Sequence, residues 1–382
     1  MDFSLTEEQK MLKTMAREFA EKEIEPIAAQ MDQEGKYPAE LISKMADVGF
    51  IGLHFPEKYG GGGCGKIEEI IVAEEIARVS LAAATIMAGT SGLAGWPSFK
   101  FSNEEQKQRF VVPIIKGAKL ACFALTEPGA GSDVSGLATT ATKVAGGYKL
   151  NGNKVFITSG AEADLALVFT TIDKSLKHRG ITAFFVEKGT KGFSVGKLEH
   201  KLGIRATSTV ELVFEDCFVP EENRVGAEGE GFKIALEAVD ASRVAVAAFG
   251  VGVAQGSFDK ALAYAKERQQ FGQPIANFQA IQWFIADMAT YIDAARLLTY
   301  RAAQLQDLGL PYVKEASMAK VYAAETANFV ATKALQIHGG YGYVSEYPVE
   351  RYFRDARILE IYEGTSEMQR MTIARQIIKE NR

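Results

Sequence analysis

Cysteine is scarce in this chain. Cys64, Cys122 and Cys217 are odd in number, widely separated and outside any CxxC spacing, which argues against a disulfide framework or a zinc knuckle and fits a reducing, cytoplasmic setting. Histidine is nearly as rare. His54, His178, His200 and His338 share no metal-ligand spacing, and neither HExxH nor a nucleophile elbow occurs, so no metal and no serine-hydrolase chemistry is expected. Runs of Lys and Arg are missing and the formal net charge is -5, which removes the usual attraction for nucleic acid or an anionic membrane. No apolar run reaches the roughly 20 residues of a membrane span. The opening Met1-Asp2-Phe3 leads into an acidic amphipathic stretch, unlike a signal or transit peptide.

What is present is an ordinary globular composition over 382 residues, too long for one core, so two or three domains are expected. Thr6 and Gln9 have capping-box spacing, and Met11, Leu12, Met15 and Phe19 then recur at helical intervals. Pro38 opens a second helix closed by Gly49, a third is expected from Ile67 to Ala88, and Asn103 with Gln106 caps a fourth. From Leu120 the texture changes to short runs of Val, Ile, Phe and Thr, which predict antiparallel strands at Leu165 to Thr171, Ile181 to Val186 and Val210 to Phe214. Asn151-Gly152 predicts a hairpin turn between Tyr148 and Val155. Long helical patterns return at about 232–267, 279–308, 314–337 and 366–379, suited to a four-helix bundle. The expected fold class is therefore α+β multidomain: a helical domain over 1–118, a middle antiparallel β domain over 119–230 and a C-terminal four-helix bundle over 231–382.

Two glycine patterns are decoys. Gly60 to Lys66 matches a GxGxxG and nearly a Walker motif, yet Ile67 stands where Ser or Thr would hold magnesium. Pro56-Glu57-Lys58-Tyr59 precedes it instead of a buried strand. Gly250-x-Gly252 lies inside a helical pattern, where small residues serve close packing. His338 reads as a residue packed at a helix end.

Three segments carry chemistry. Ala124 to Asp133 joins a strand to a glycine loop flanked by hydroxyls; such a loop can bring backbone amides against phosphate oxygens or can be a tight surface turn. A second glycine cluster comprises Gln336, Gly339, Gly340 and Gly342, followed by Glu346, Arg351 and Asp355. Near the end, Tyr362-Glu363-Gly364-Thr365 sets one carboxylate between an aromatic ring and a glycine before a capped helix, where it could also be a plain helix-entry acid. Asp240 and Arg243 have the spacing of an i,i+3 ion pair.

Taken together, these segments resemble the acyl-CoA dehydrogenase family at its two signature regions, Ala124 to Gly136 and Gln336 to Asp355, and at its catalytic loop. The overall match is closest to the short-chain, butyryl-CoA type, and the order of α, β and α textures agrees over essentially the full length. The resemblance implies an enzyme that binds FAD non-covalently, as a homotetramer built as a dimer of dimers. It implies that Phe123, Leu125 and Thr126 contact the flavin ring, with Gly131 and Ser132 near the pyrophosphate and Ser132 also near substrate. Phe156 would cover the ring where many relatives have Trp, and Thr158 would face N5. Arg268, Gln270, Phe271, Gln279, Gln336, Gly339 and Gly340 would reach the FAD of a neighbouring subunit, and Thr365 and Glu367 the nucleotide end. Asp240, Arg243, Tyr362 and Gly364 would contact the acyl-CoA.

The implied reaction is α,β-dehydrogenation of an acyl-CoA thioester to the 2-enoyl-CoA. Glu363 would take the α-proton while the β-hydrogen leaves as hydride to flavin N5. Some relatives carry their base on the helix of the Asp-x-x-Arg pair, where this chain has Ser242, so Glu363 is the base by this resemblance. Burial should raise its pKa. The segment Ala82 to Trp96, with Gly89, Thr90, Ser91, Gly92 and Trp96, would line part of the acyl pocket and suits a short, branched or alicyclic group. The implied electron partner is an electron-transferring flavoprotein. The same fold could run as an enoyl-CoA reductase; a non-catalytic module binding CoA esters is the reading from another class.

Overall fold

The computed structural model describes residues 4–380; the Met1-Asp2-Phe3 opening lies outside them. The chain begins with helices α1 (Glu7–Phe19), α2 (Glu25–Glu34), α3 (Ala39–Asp47), α4 (Lys66–Ala77), α5 (Leu81–Ala88), α6 (Trp96–Phe101), α7 (Glu104–Gln106) and α8 (Val112–Ile115). The Thr6/Gln9 and Asn103/Gln106 capping boxes both form. The helix expected from Ile67 to Ala88 is broken in two, because Ser80 adopts an extended backbone and its side chain accepts from the Ala83 N–H, starting α5 afresh. A π-helical turn over Gly89–Gly95 follows α5, a device that widens a helix and recurs at functional sites.

The middle region is one sheet built from β1 (Ala121–Ala124), β2 (Thr140–Val144), β3 (Gly147–Thr158), β4 (Leu165–Thr171), β5 (Ile181–Glu187), β6 (Phe193–Leu198), β7 (Thr209–Pro220) and β8 (Arg224–Val225). Its order is β6-β7-β3-β2-β4-β5-β8, with β1 on β4. Two expectations need correction. The sheet is mixed rather than antiparallel, since β1 runs parallel to β4 and β2 meets β4 in parallel at Thr140 and Thr171. Every residue of β4 is buried, the continuous apolar signature of a strand covered on both faces. The hairpin turn falls at Ala145–Gly146, not at Asn151-Gly152. Gly152 instead sits within β3 at φ 139, where the register against β7 shifts and where a Cβ would lie 2.8 Å from the Cα of Thr139.

The C-terminal region holds α9 (Gly231–Glu267), α10 (Gln279–Asp307), α11 (Val313–His338), α12 (Val349–Ala356) and α13 (Ser366–Glu380). The four long helices match the expected bundle. α9 is buried without interruption from Ala241 to Ala254, and its glycines explain how. A Cβ at Gly250 would lie 2.7 Å from the Ala323 carbonyl oxygen of α11, and one at Gly252 would lie 2.4 Å from that of Glu74 on α4. The backbones therefore approach more closely than any side chain permits. His338 is buried at the end of α11, stacked on Tyr264 at 4.3 Å. Among the described residues, no helix is long and apolar enough to cross a membrane.

Candidate active site

A cavity of about 260 Å³ opens where α4, α5, the π-turn, α9, α10 and the loop before α13 meet. Its walls include Thr85, Ala88, Gly89, Gly92, Leu93 and Trp96 from the segment expected to line an acyl pocket. Thr90 and Ser91 turn away, their hydroxyls donating to the carbonyls of Ala121 and Met87. Thr158, Ser242, Tyr362 and Glu363 complete one side. The Ser242 hydroxyl donates to the Val239 carbonyl at 3.0 Å, so it is a capped alcohol and no base.

Glu363 sits on a strained turn. Its φ is 49° and that of Gly364 is 92°, and a non-glycine residue in the left-handed region costs about 1 kcal/mol or more unless its surroundings hold it. They do hold it. The Glu363 carbonyl accepts from Arg243 Nε at 3.4 Å and from Gln369 Nε2 at 3.1 Å. The Gly364 carbonyl accepts from Lys320 Nζ at 2.7 Å and from Gln369 Nε2 at 2.9 Å. Thr365 then accepts from the Met368 N–H and starts α13. Part of the Glu363 residue is exposed, yet Oε2 is sealed from solvent and has no hydrogen-bond partner. Burial pushes the carboxyl up to about 7, against the pull of Lys320 and Arg243. Such a group is half-ionised near neutrality, as a proton acceptor should be.

The other expected site residues fall into separate groups. Asp240 and Arg243 form the i,i+3 ion pair, and Arg243 is buried beneath the Glu363 turn. The loop after β1 is tied to β3 by the Val155 N–H donating to the Thr126 carbonyl at 2.9 Å, which brings Thr126 beside Phe156 and Thr158. The Leu125 side chain is buried in the core with Ala130 and Leu137, and its carbonyl accepts from Lys154. Phe123 is half-buried against Phe169. Gly131 and Ser132 are exposed, and a Cβ at Gly129 or Gly131 would meet nothing within 4 Å, so the backbone there is open to a ligand.

Phe156 is 65% exposed at φ 57, and Phe271 is 92% exposed at φ 50. Phe271 tips a short hairpin, Gln269–Gln270 against Gln273–Pro274. Arg268 at its base lies over Tyr341 at 5.6 Å, which joins the hairpin to the exposed Gly339-Gly340 turn after Gln336. Gln279 and Glu367 are exposed at the starts of α10 and α13.

The described side chains closest in role to Glu363 were not legible in advance. Lys320 lies in an alanine-rich helix and Gln369 six residues beyond Glu363, both fully buried. A lone cation on an otherwise small-residue helix face was the available signal. His54, Lys66, Glu69 and Gln306 also line the cavity, and no spacing announced them.

Three family models cover nearly the whole chain: the N-terminal domain of acyl-CoA dehydrogenase over residues 6–118, the middle domain over 122–217 and the C-terminal domain over 229–378. The chain belongs to the acyl-CoA dehydrogenase family. It is 49% identical to the acryloyl-CoA reductase (NADH) of Anaerotignum propionicum, covering 99% of this chain and 96% of that protein. It is 47% identical to the short-chain specific acyl-CoA dehydrogenase of Clostridium acetobutylicum, covering 99% and 100%. A chain from the structure described as the electron transferring flavoprotein of Acidaminococcus fermentans superposes with a TM-score of 0.98 at 48% identity, covering 99% and 100%. As an acyl-CoA dehydrogenase the protein is an FAD-dependent oxidoreductase acting on the CH–CH pair of an acyl-CoA.

Proposed function

We propose that this acyl-CoA dehydrogenase acts on a short acyl-CoA, with Glu363 removing the α-proton. The sealed, partnerless Oε2 of Glu363 at a strained turn facing the cavity carries the reading. Bound FAD supplies the acceptor for the β-hydrogen as hydride. The protein supplies the rest. Tyr362 and the cavity wall exclude water, which strengthens the base, and the Arg243, Lys320 and Gln369 contacts fix the turn so that Glu363 is aimed before substrate arrives.

The residues fit FAD. Thr126, Phe156 and Thr158 would hold the ring, the open backbone at Gly129 to Ser132 the phosphates, and Thr365 and Glu367 the nucleotide end. Gly364, Tyr362, Asp240 and Arg243 would border the acyl-CoA. Exposed Phe271 with Arg268, Gln270, Gln279, Gln336, Gly339 and Gly340 supports a cofactor site completed by a second copy of the chain, as in a homotetramer. An electron-transferring flavoprotein is the proposed electron partner, supported by the superposition just described. Cys64, Cys122 and Cys217 are all free, which supports a cytoplasmic setting. Both catalytic directions have a relative in favour, and the same proton transfer at Glu363 serves either.

Substituting Glu363→Gln is the test. FAD content should hold while anaerobic bleaching by acyl-CoA slows on the order of a thousandfold; bleaching at an undiminished rate would refute the assignment.

A further inference from the structure

The cavity beside Glu363 contains machinery that a plain alkyl chain does not need. His54, Lys66 and Glu69 line it together, with side chains left only 10%, 7% and 11% exposed. Lys66 Nζ lies 2.8 Å from Glu69 Oε1, and His54 Nδ1 lies 3.3 Å from Glu69 Oε2. The imidazole is clamped against Phe55 at 4.3 Å and Trp96 at 5.5 Å. Asp307 is already committed, accepting from the Lys66 and Ile67 backbone N–H groups at the start of α4.

A carboxylate can only accept, so we assign the imidazole proton to the Nδ1 that faces Glu69 at 3.3 Å, which leaves the lone pair on Nε2. Nε2 is sealed from solvent and has no hydrogen-bond partner, and neither has Gln306 Oε1 in the same cavity. Lys66 and Glu69 cancel each other's charge. An anionic group entering here would face a lone pair and no net positive charge, and an alkyl group would leave the lone pair unsatisfied. A hydroxyl answers both halves: its O–H donates to Nε2 and its oxygen can accept from the remaining N–H bonds of Lys66.

We propose that the acyl group this enzyme selects carries a hydroxyl, alcoholic or phenolic, beyond the reacting carbons, received by His54 Nε2 with Lys66 and Glu69 as its support. The inference rests on the Glu363 reading, and the experiment separates the two. The purified holoenzyme is followed anaerobically by flavin bleaching, and in turnover with an artificial electron acceptor, on matched thioesters: pentanoyl-CoA against 5-hydroxypentanoyl-CoA and 3-phenylpropanoyl-CoA against its 4-hydroxyphenyl counterpart, with glutaryl-CoA as the anionic member. At least one hydroxylated member should bleach the flavin and turn over with kcat/KM on the order of tenfold or more above its partner. His54→Leu should abolish that preference by raising KM for the hydroxylated member, and His54→Gln, which keeps an acceptor, should restore part of it. Equal values for both pairs in the native enzyme, or a preference that survives His54→Leu, would mean that Nε2 holds only a trapped water and would overturn the proposal. A preference for glutaryl-CoA would overturn it too. If no thioester bleaches the flavin, the dehydrogenase site itself is misassigned and this proposal goes with it.

Discussion

Lys320 Nζ donates to the carbonyl oxygen of Gly364 at 2.7 Å, which places a buried ammonium one residue beyond the proposed base. The contact has two physical consequences. It closes the turn that aims Glu363, and it sets a positive charge where it favours the ionised carboxylate. Burial lowers the Lys320 pKa while Glu363 raises it, so the two groups titrate as a pair.

Removing that charge should move the base. Proton abstraction needs ionised Glu363, so flavin reduction in single turnover should rise with pH through an inflection near the carboxyl's pKa of about 7. In Lys320→Met the carboxylate loses its opposing charge, its pKa rises further, and the rising limb should shift to higher pH by about one unit. Gln369 still donates to the Gly364 carbonyl, so the turn should survive. A limb that stays put or moves to lower pH would show that Lys320 acts only as a brace.

Phe271 makes a prediction about assembly. Its ring is 92% exposed on a left-handed backbone and meets the Phe278 ring edge-on at 6.0 Å, a small return within one chain. Phe271→Ala should therefore change thermal unfolding of the FAD-free protein by less than about 0.5 kcal/mol. It should nevertheless lower FAD content after purification and shift the light-scattering mass toward smaller species. Full FAD occupancy in the variant would remove the support for a shared cofactor site.

The Lys154–Glu127 pair predicts stability at the loop after β1. Lys154 is fully buried, 2.6 Å from a Glu127 carboxylate that also accepts from the Ala138 and Thr139 N–H groups. Burial depresses the ammonium to about 8 despite the neighbouring carboxylate. Lys154→Met would strand Glu127 in the core and should cost about 3–5 kcal/mol in denaturant unfolding. Adding Glu127→Gln should recover part of that loss. Additive losses in the double variant would exclude the pair as the cause.

Much of this fold was legible because helical periodicity and capping boxes are local. Thr6 with Gln9 and Asn103 with Gln106 signal their helices within four residues, and the four bundle helices repeat their pattern many times over. What failed was non-local. Asn151-Gly152 has the chemistry of a turn, yet pairing of β3 with both β2 and β7 overrides it and converts the glycine into a bulge. The parallel contacts of β4 depend on partners more than 20 residues away. In the site, Glu363 was found through the segment around it, whereas Lys320, Gln369 and His54 come from three different elements. Their relation to it exists only after folding.

Asp355 links the middle and C-terminal regions and offers a pH test with a definite sign. It is buried on α12 and its Oδ1 accepts from the Ile204 N–H at 2.6 Å. Burial raises its pKa from 3.8 to about 6 against that hydrogen bond. A carboxyl whose folded pKa is raised contributes stability below the unfolded value, and this is lost as pH rises through the folded one. The native protein should therefore forfeit up to about 3 kcal/mol between pH 4 and pH 6 at this residue. Asp355→Asn keeps an oxygen for the Ile204 N–H but cannot ionise. Thermal unfolding of the two proteins side by side should show the variant gaining on the native protein as pH climbs from 4 to 7, whatever the other carboxylates do to both. A difference that stays flat over this range would mean that Arg351 and Arg354 already hold Asp355 ionised throughout.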